Sequence, residues 1–324
     1  MHNPETGVNE ETDEANSAVR IIGGNVFVEL DPDHPGFQDE GYRERRNEIA
    51  KIAIEWNEMS MAERRTQKIP EAPYSNEEHG VWAAIMERME PMHEKYACQQ
   101  YLKYAVQLGL PSDHIPQLQW VSEQLQPLTG FRQEPVGGLV HPKTFHTALA
   151  NKVFLSTQYI RHSSHPFYTP EPDVVHELVG HTAMLAVPEW AELNTLFGEA
   201  DMRTQSEAAI TRLGTVFWFI MEFGVCREND DIKAFGPGML SSFGEIEHAC
   251  TAGAACGRED ACVCDPQIEY RTPDFEEIET RPYDVTKYQP MLYLWDSFEQ
   301  MFEQTSEFVK AWGTEADSRR ELHQ

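Results

Sequence analysis

Apolar residues along the chain fall mostly at helical spacing. Residues 42–59 place Ile49, Ile52, Ala53 and Trp56 on one face of a helix. Residues 81–107 carry a second stripe of Trp82, Ile85, Met86, Met89 and Met92, which reads as core packing. A shorter helix is expected over 116–128, ended by Pro127 and the Thr129-Gly130 turn. Residues 131–145 read as irregular, and 153–160 as a strand or a helix end. Further helices are expected from near Asp173, over 189–201, over 207–226 and over about 291–312, with short strands around 267–283. No internal repeat is present. The pattern predicts a mostly α fold with short β-strands: one domain over 21–312, between a disordered acidic tail (1–20) and a polar C-terminal tail (313–324).

Composition narrows the function classes. The 324 residues carry a formal net charge of −28, and 40% are hydrophobic. No basic patch stands out, which argues against nucleic-acid and anionic-membrane partners. No apolar run is long enough to span a bilayer, and the N-terminus lacks the pattern of a signal peptide, so the protein reads as cytoplasmic. Nine Lys stand against 17 Arg, and an acidic, Lys-poor surface suits a salt-rich cytoplasm that screens repulsion. Four of the six cysteines, Cys250, Cys256, Cys262 and Cys264, crowd one Gly- and Ala-rich stretch. They lack the paired C-x2-C spacing of zinc sites, so a cysteine-bearing loop is the simpler reading.

Chemistry concentrates in residues 169–181, TPEPDVVHELVGH. Pro170 and Pro172 hold the entry extended, and Asp173 suits a helix cap. His176 and His181 follow, five residues apart. The zinc-protease motif has its histidines four apart, about 40° around a helix, whereas five steps give about 140°. Both could reach one metal if the helix ends or loosens, and Gly180 permits that. Two histidines alone fit ordinary surface residues equally well. The third element is Glu222, a lone carboxylate in the apolar run 215–226 with no basic residue near it in sequence. A buried charge needs a partner. Two histidines and a carboxylate form the facial triad of non-haem Fe(II) oxygenases. A zinc hydrolase using His176, Glu177 and His181 is the rival reading, and the spacing and Glu222 tell against it. His162 and His165 lack a triad pattern, and Gly236-Pro237-Gly238 lacks the Lys of a phosphate loop.

The chain resembles the catalytic domain of the aromatic amino acid hydroxylases, most closely the phenylalanine hydroxylase type. The likeness rests on LDPDHPGF (30–37), YRERR (42–46), IPQL (115–118), TGFR (129–132), TQYIRH (157–162), YTPEPD (168–173), WF (218–219), EFG (222–224) and LSSFGE (240–245). It covers about residues 21–312. The resemblance implies iron held by His176, His181 and Glu222. It also implies tetrahydrobiopterin or a related pterin, stacked on Phe145, hydrogen-bonded by the backbone of Gly138 and Val140, with Glu177 nearby. Arg161 would grip the carboxylate of the amino acid substrate, assisted by Thr169 and Ser241, while Pro172, Trp218 and Phe223 would enclose its ring.

Trp218 stands where tryptophan hydroxylases carry a smaller Phe. Val285 stands where tyrosine hydroxylases carry Asp. Phenylalanine is therefore the first-choice substrate, with O2 and the pterin as co-substrates. Leu155 replaces a histidine common in the animal enzymes, which leaves meta-hydroxylation or a tryptophan hydroxylase as alternatives. Too few residues flank the domain for the family's regulatory domain or tetramerising helix, so a monomer or weak dimer is expected. If the acidic surface reflects salt adaptation, the melting temperature should hold or rise from low to molar KCl; a steady fall in thermal scans would refute it.

Overall fold

The computed structural model describes residues 10–12, 19–22, 25–28, 30–167, 169, 171–204, 206–229, 231–251, 268–285 and 287–313. The chain opens with an antiparallel sheet of β1 (Glu10–Thr12), β2 (Val19–Ile22) and β3 (Asn25–Val28). Strand β1 and the first two residues of β2 fall within the stretch read as a tail. Helix α1 (Glu40–Asn57) is capped by Asp39, whose side chain accepts from the Tyr42 amide, and it buries Ile49, Ala53 and Trp56. A short α2 (Met61–Arg64) follows.

Helix α3 (Asn76–Tyr96) begins at a Ser75/Glu78 capping box and buries Trp82, Ile85, Met86 and Met89. The single long helix expected over 81–107 is in fact two. The backbone extends at Ala97 and Cys98 to bridge Ala234, and α4 (Gln99–Leu108) then restarts. Helix α5 (Leu118–Thr129) closes at Gly130, whose φ of 82° is left-handed.

Residues 131–145 are more regular than expected. Strand β4 (Arg132–Val136) pairs in parallel with β5 (Val153–Thr157), and α6 (Pro142–Ala150) makes the crossover. The strand escapes periodicity because buried Glu134 stands in it, matched by Arg64 at 3.0 Å and Arg132 at 3.6 Å.

A π-helical segment covers His176–Thr182 and runs into α7 (Ala183–Leu185). Helices α8 (Pro188–Arg203) and α9 (Glu207–Val216) follow, and α9 continues into a second π-helical segment, Phe217–Glu222. The helix expected to reach residue 226 therefore stops at Glu222. Beyond it lie β6 (Val225–Glu228), β7 (Asp231–Ala234), α10 (Pro237–Leu240), α11 (Phe243–Thr251), β8 (Glu269–Arg271) and α12 (Phe275–Ile278).

The last expected helix is a strand and a helix. Strand β9 (Met291–Trp295) lies between β6 and β8 in the sheet β7-β6-β9-β8, parallel to both neighbours, and α13 (Phe298–Ala311) is capped by Ser297. All five residues of β9 are buried, and a strand covered on both faces shows no alternation to distinguish it from helix.

One core runs through the helices and sheets and includes Trp82, Trp190, Trp295 and Trp312. Among the described residues no helix is long and apolar enough to cross a membrane. Cys98, Cys226 and Cys250 are buried free thiols, and Cys256, Cys262 and Cys264 lie outside the described residues.

Helices α6 and α8 pack closely at Gly198, where a Cβ would lie 2.3 Å from the Ala150 nitrogen and 2.4 Å from the His146 carbonyl. Both neighbours are backbone and cannot step aside. Gly198→Ala should therefore cost about 3 kcal/mol in denaturant unfolding, at the upper end of overpacking effects.

Candidate metal and substrate site

The loop before the first π segment is organised by Asp173. Its Oδ1 accepts from the His176 amide at 3.1 Å, the expected helix cap. The same carboxylate takes Arg161 in a two-pronged pair, Nε to Oδ2 and Nη2 to Oδ1, each 2.8 Å, and accepts the Arg161 amide as well. Both residues are buried. Burial alone would raise the Asp173 pKa, yet Arg161 holds it below the ordinary value. The guanidinium is thereby fixed, and its Nη1 has no hydrogen-bond partner among the described residues.

The five-residue spacing of the histidines is resolved by the π geometry. Its turn closes on i→i+5 bonds rather than i→i+4, so residues five apart come round to one face. The Nε2 atoms of His176 and His181 lie 3.0 Å apart. The helix has not ended or frayed there. Gly180 serves a different need: a Cβ on it would sit 2.8 Å from the Pro237 carbonyl of α10.

Glu222 ends the second π segment. Its two carboxylate oxygens lie 3.3 Å from the Nε2 atoms, one on each histidine. Among the described residues these three form the one group of His, Cys, Asp or Glu donors able to hold a metal, with all ligand atoms within 4.8 Å. Two atoms bound about 2.1 Å from one cation lie about 3 Å apart, so the spacing fits a shared metal.

At His176 protonation favours the same use, whereas at His181 burial would lower the pKa but Glu222 holds it above the ordinary value. The Ser241 hydroxyl donates to the Pro237 carbonyl at 2.8 Å, so it accepts from His176 Nδ1–H at 2.9 Å and leaves Nε2 as a lone pair. Burial pushes His176 down to about 4. Burial would raise Glu222, but His181 and His176 hold it below the ordinary range. Glu177 faces the other way: burial raises it to about 7, and Oε1 accepts from the Thr157 hydroxyl at 3.0 Å and the Thr157 amide at 3.2 Å.

An aromatic wall runs on from the triad. The Phe154 ring lies 4.8 Å from His181, and Phe145 meets Phe154 at 5.7 Å and Phe217 at 5.9 Å, both edge to face. Val140 and Phe145 pack against the cluster of Val136, Val153 and Leu155, and Val140 and Leu155 line a cavity of about 320 Å³ with Arg64, Glu134 and Lys143 on its border. Gly138 is buried in the loop before Val140.

On the second π segment Trp218 lies 4.7 Å from Phe223 and stacks on Tyr283 at 4.5 Å and 15°. Pro172 offers its carbonyl to the Tyr159 hydroxyl at 2.6 Å. Two expected residues are placed differently. Thr169 turns its hydroxyl onto its own loop, donating to the Glu171 carbonyl at 2.9 Å. Val285 sits in a turn with 61% of its surface exposed, and Tyr283, two residues earlier, takes the position against Trp218. Ser241 backs an iron-ligand candidate through His176 Nδ1. Phe154, Phe217, Tyr283 and the Arg161 partner role of Asp173 escaped sequence reasoning.

The family profile of the biopterin-dependent aromatic amino acid hydroxylases matches residues 10–317. The chain belongs to that family. It is 38% identical over 288 residues to the protein henna of Drosophila melanogaster, covering 87% of this chain and 59% of that one. It is equally 38% identical to the phenylalanine-4-hydroxylase of Rattus norvegicus (87% and 58% covered) and the tyrosine 3-monooxygenase of Schistosoma mansoni (88% and 57% covered). The chain thus spans somewhat under three-fifths of the length of these relatives.

A similar solved structure is the phenylalanine hydroxylase of Chromobacterium violaceum with bound iron(III) and 7,8-dihydrobiopterin, at TM-score 0.65 and 26% identity, covering 75% of this chain and 84% of that one. The apo cold-active phenylalanine hydroxylase of Colwellia psychrerythraea gives TM-score 0.65 and 26% identity, with 76% and 90% covered.

On α11, Glu245 is buried with no basic partner among the described residues, and burial raises its pKa from 4.5 to about 7. The native state then keeps a proton that the unfolded chain loses near pH 4.5, so this group makes stability fall as pH rises from about 4.5 to 7. Glu245→Gln removes that fall. The stability difference between pH 5 and pH 8, from urea titrations, should shrink by up to about 3 kcal/mol.

Proposed function

We propose that this chain is an Fe(II)- and tetrahydropterin-dependent monooxygenase that hydroxylates the ring of a free aromatic amino acid, with phenylalanine as the first substrate and tyrosine as the product. The observation that carries the reading is the convergence of His176, His181 and Glu222 to 3.0–3.3 Å, on two separate π segments, with no lysine or arginine among them. Two neutral-donor imidazoles and one carboxylate suit a ferrous ion and leave one side open. Iron and pterin together would supply the activation of O2, one oxygen atom going to the ring and the other to the pterin.

The residues of the chain do the rest. Phe145, held edge-on by Phe154 and Phe217, is a flat platform for the pterin ring, next to the Gly138–Val140 backbone. Glu177, protonated up to about pH 7, presents a carboxylic acid on the pterin side. Arg161, locked by Asp173, offers a fixed cation for the substrate carboxylate. Trp218, Phe223 and Tyr283 supply an apolar wall for its ring and keep water from it. Phenylalanine is favoured by that wall and by the relatives named as phenylalanine hydroxylases. The exposure of Val285 withdraws the argument that this position rejects a phenol, and tyrosine hydroxylases match equally well.

The decisive assay supplies Fe(II), tetrahydrobiopterin, O2 and each aromatic amino acid in turn, and identifies products by mass and retention time. Phenylalanine should give para-tyrosine. His176→Ala should lose both bound iron and activity, and an active His176→Ala protein would sink the assignment. Bound zinc with peptidase activity and no need for pterin would favour the hydrolase rival.

A further inference from the structure

Gln289 lies outside the metal site and is almost wholly buried, at 3% exposure. Every polar atom of its side chain is used. Its Oε1 accepts from the Trp218 indole nitrogen at 3.3 Å, and its Nε2 donates to the Asp284 carbonyl at 3.2 Å and the Lys287 carbonyl at 3.1 Å. Its backbone amide donates to Glu245 on α11 at 2.8 Å. An indole only donates and backbone carbonyls only accept, so a primary amide is what this position requires. A carboxylate would lose both loop bonds, and an apolar side chain would leave the Trp218 indole N–H and the Asp284 and Lys287 carbonyls without this partner.

We infer that Gln289 is a specificity-determining positioning residue. It ties Trp218 to the carbonyls of Asp284 and Lys287, and so holds Trp218 and Tyr283 together as one wall that sets which ring the substrate site admits. This rests on the proposed amino acid hydroxylase reading. Trp218 has Tyr283 stacked on one side at 4.5 Å and Phe223 4.7 Å away, and Tyr283 belongs to the loop that Gln289 ties down. With the amide in place the indole cannot swing without breaking its bond and the stack together. Without it, Trp218 and Tyr283 can part, and the pocket widens to the size of a bicyclic ring. The effect reaches the amino acid ring only. Phe145 and the Gly138–Val140 loop stand on β4, β5 and α6 and share no hydrogen bond with Gln289 among the described residues.

The test compares Gln289→Met with the iron-loaded wild type. Three readouts are needed: kcat/KM for phenylalanine and for tryptophan, KM for tetrahydrobiopterin, and calorimetric binding of both amino acids to the Fe(II) protein without pterin. The preference for phenylalanine over tryptophan should fall at least tenfold, in turnover and in binding, while KM for the pterin stays within twofold. A folded variant whose preference stays within twofold of wild type overturns the inference. If Gln289→Met does not fold, Tyr283→Leu decides: it leaves the amide and removes the stack, so the preference must fall in the same direction, and an unchanged ratio overturns the inference. A wild type that turns over none of the amino acids counts against the hydroxylase reading, while the binding ratio still reports on the wall.

Discussion

The organising constraint is the charge on Glu222. Its carboxylate sits at the end of an apolar helix, after the buried Phe219, Ile220 and Met221, with no arginine or lysine paired to it among the described residues. Desolvating a carboxylate costs several kcal/mol, and the fold leaves it two imidazoles at 3.3 Å as its partners. Those imidazoles must come from one stretch of chain, five residues apart, and only a wide turn delivers them to one face. The close packing of Gly180 on Pro237, the seat of Ser241 behind His176 and the approach of α10 all serve that convergence.

Asp173 shows how few groups hold the surroundings in place. One carboxylate caps the helix of the first ligand and clamps Arg161 through two nitrogens and an amide. The proposed metal ligand His176 and the proposed substrate anchor Arg161 are thus set by the same carboxylate. A second layer supports this loop from outside: Arg46 pairs with Glu171 at 2.5 Å and lies 3.3 Å over the Tyr159 ring, and the Tyr159 hydroxyl reaches the Pro172 carbonyl. The turn at residues 30–37 joins in through His34, 3.4 Å from Glu171.

Much of this was legible in the sequence, and its failures have definite causes. Amphipathic α1 and α3 follow their stripes, because each has one face on the core and one in water. Strand β9 was read as helix because burial on both faces erases alternation. Strand β4 was read as irregular because Glu134 is buried by long-range pairing with Arg64, which no local pattern records. The grouping of His176, His181 and Glu222 was legible because a charge in an apolar run is conspicuous. Val285 and Tyr283 show the limit: alignment along a motif fixes position in the chain, whereas the side of a turn that faces the pocket depends on contacts far away. Gln289 is invisible for the same reason, since its partner Trp218 is 71 residues distant.

The two π segments also make this site unusually dependent on counting. In an ordinary helix each residue advances about 100°, so side-chain exchange leaves the direction of every neighbour intact. Here the aim of His181 and Glu222 is set by the number of residues in a widened turn. The site tolerates changes of kind along these segments better than changes of number. One residue gained or lost between Asp173 and His181 would leave every side chain of the triad in the sequence and take their convergence out of the molecule.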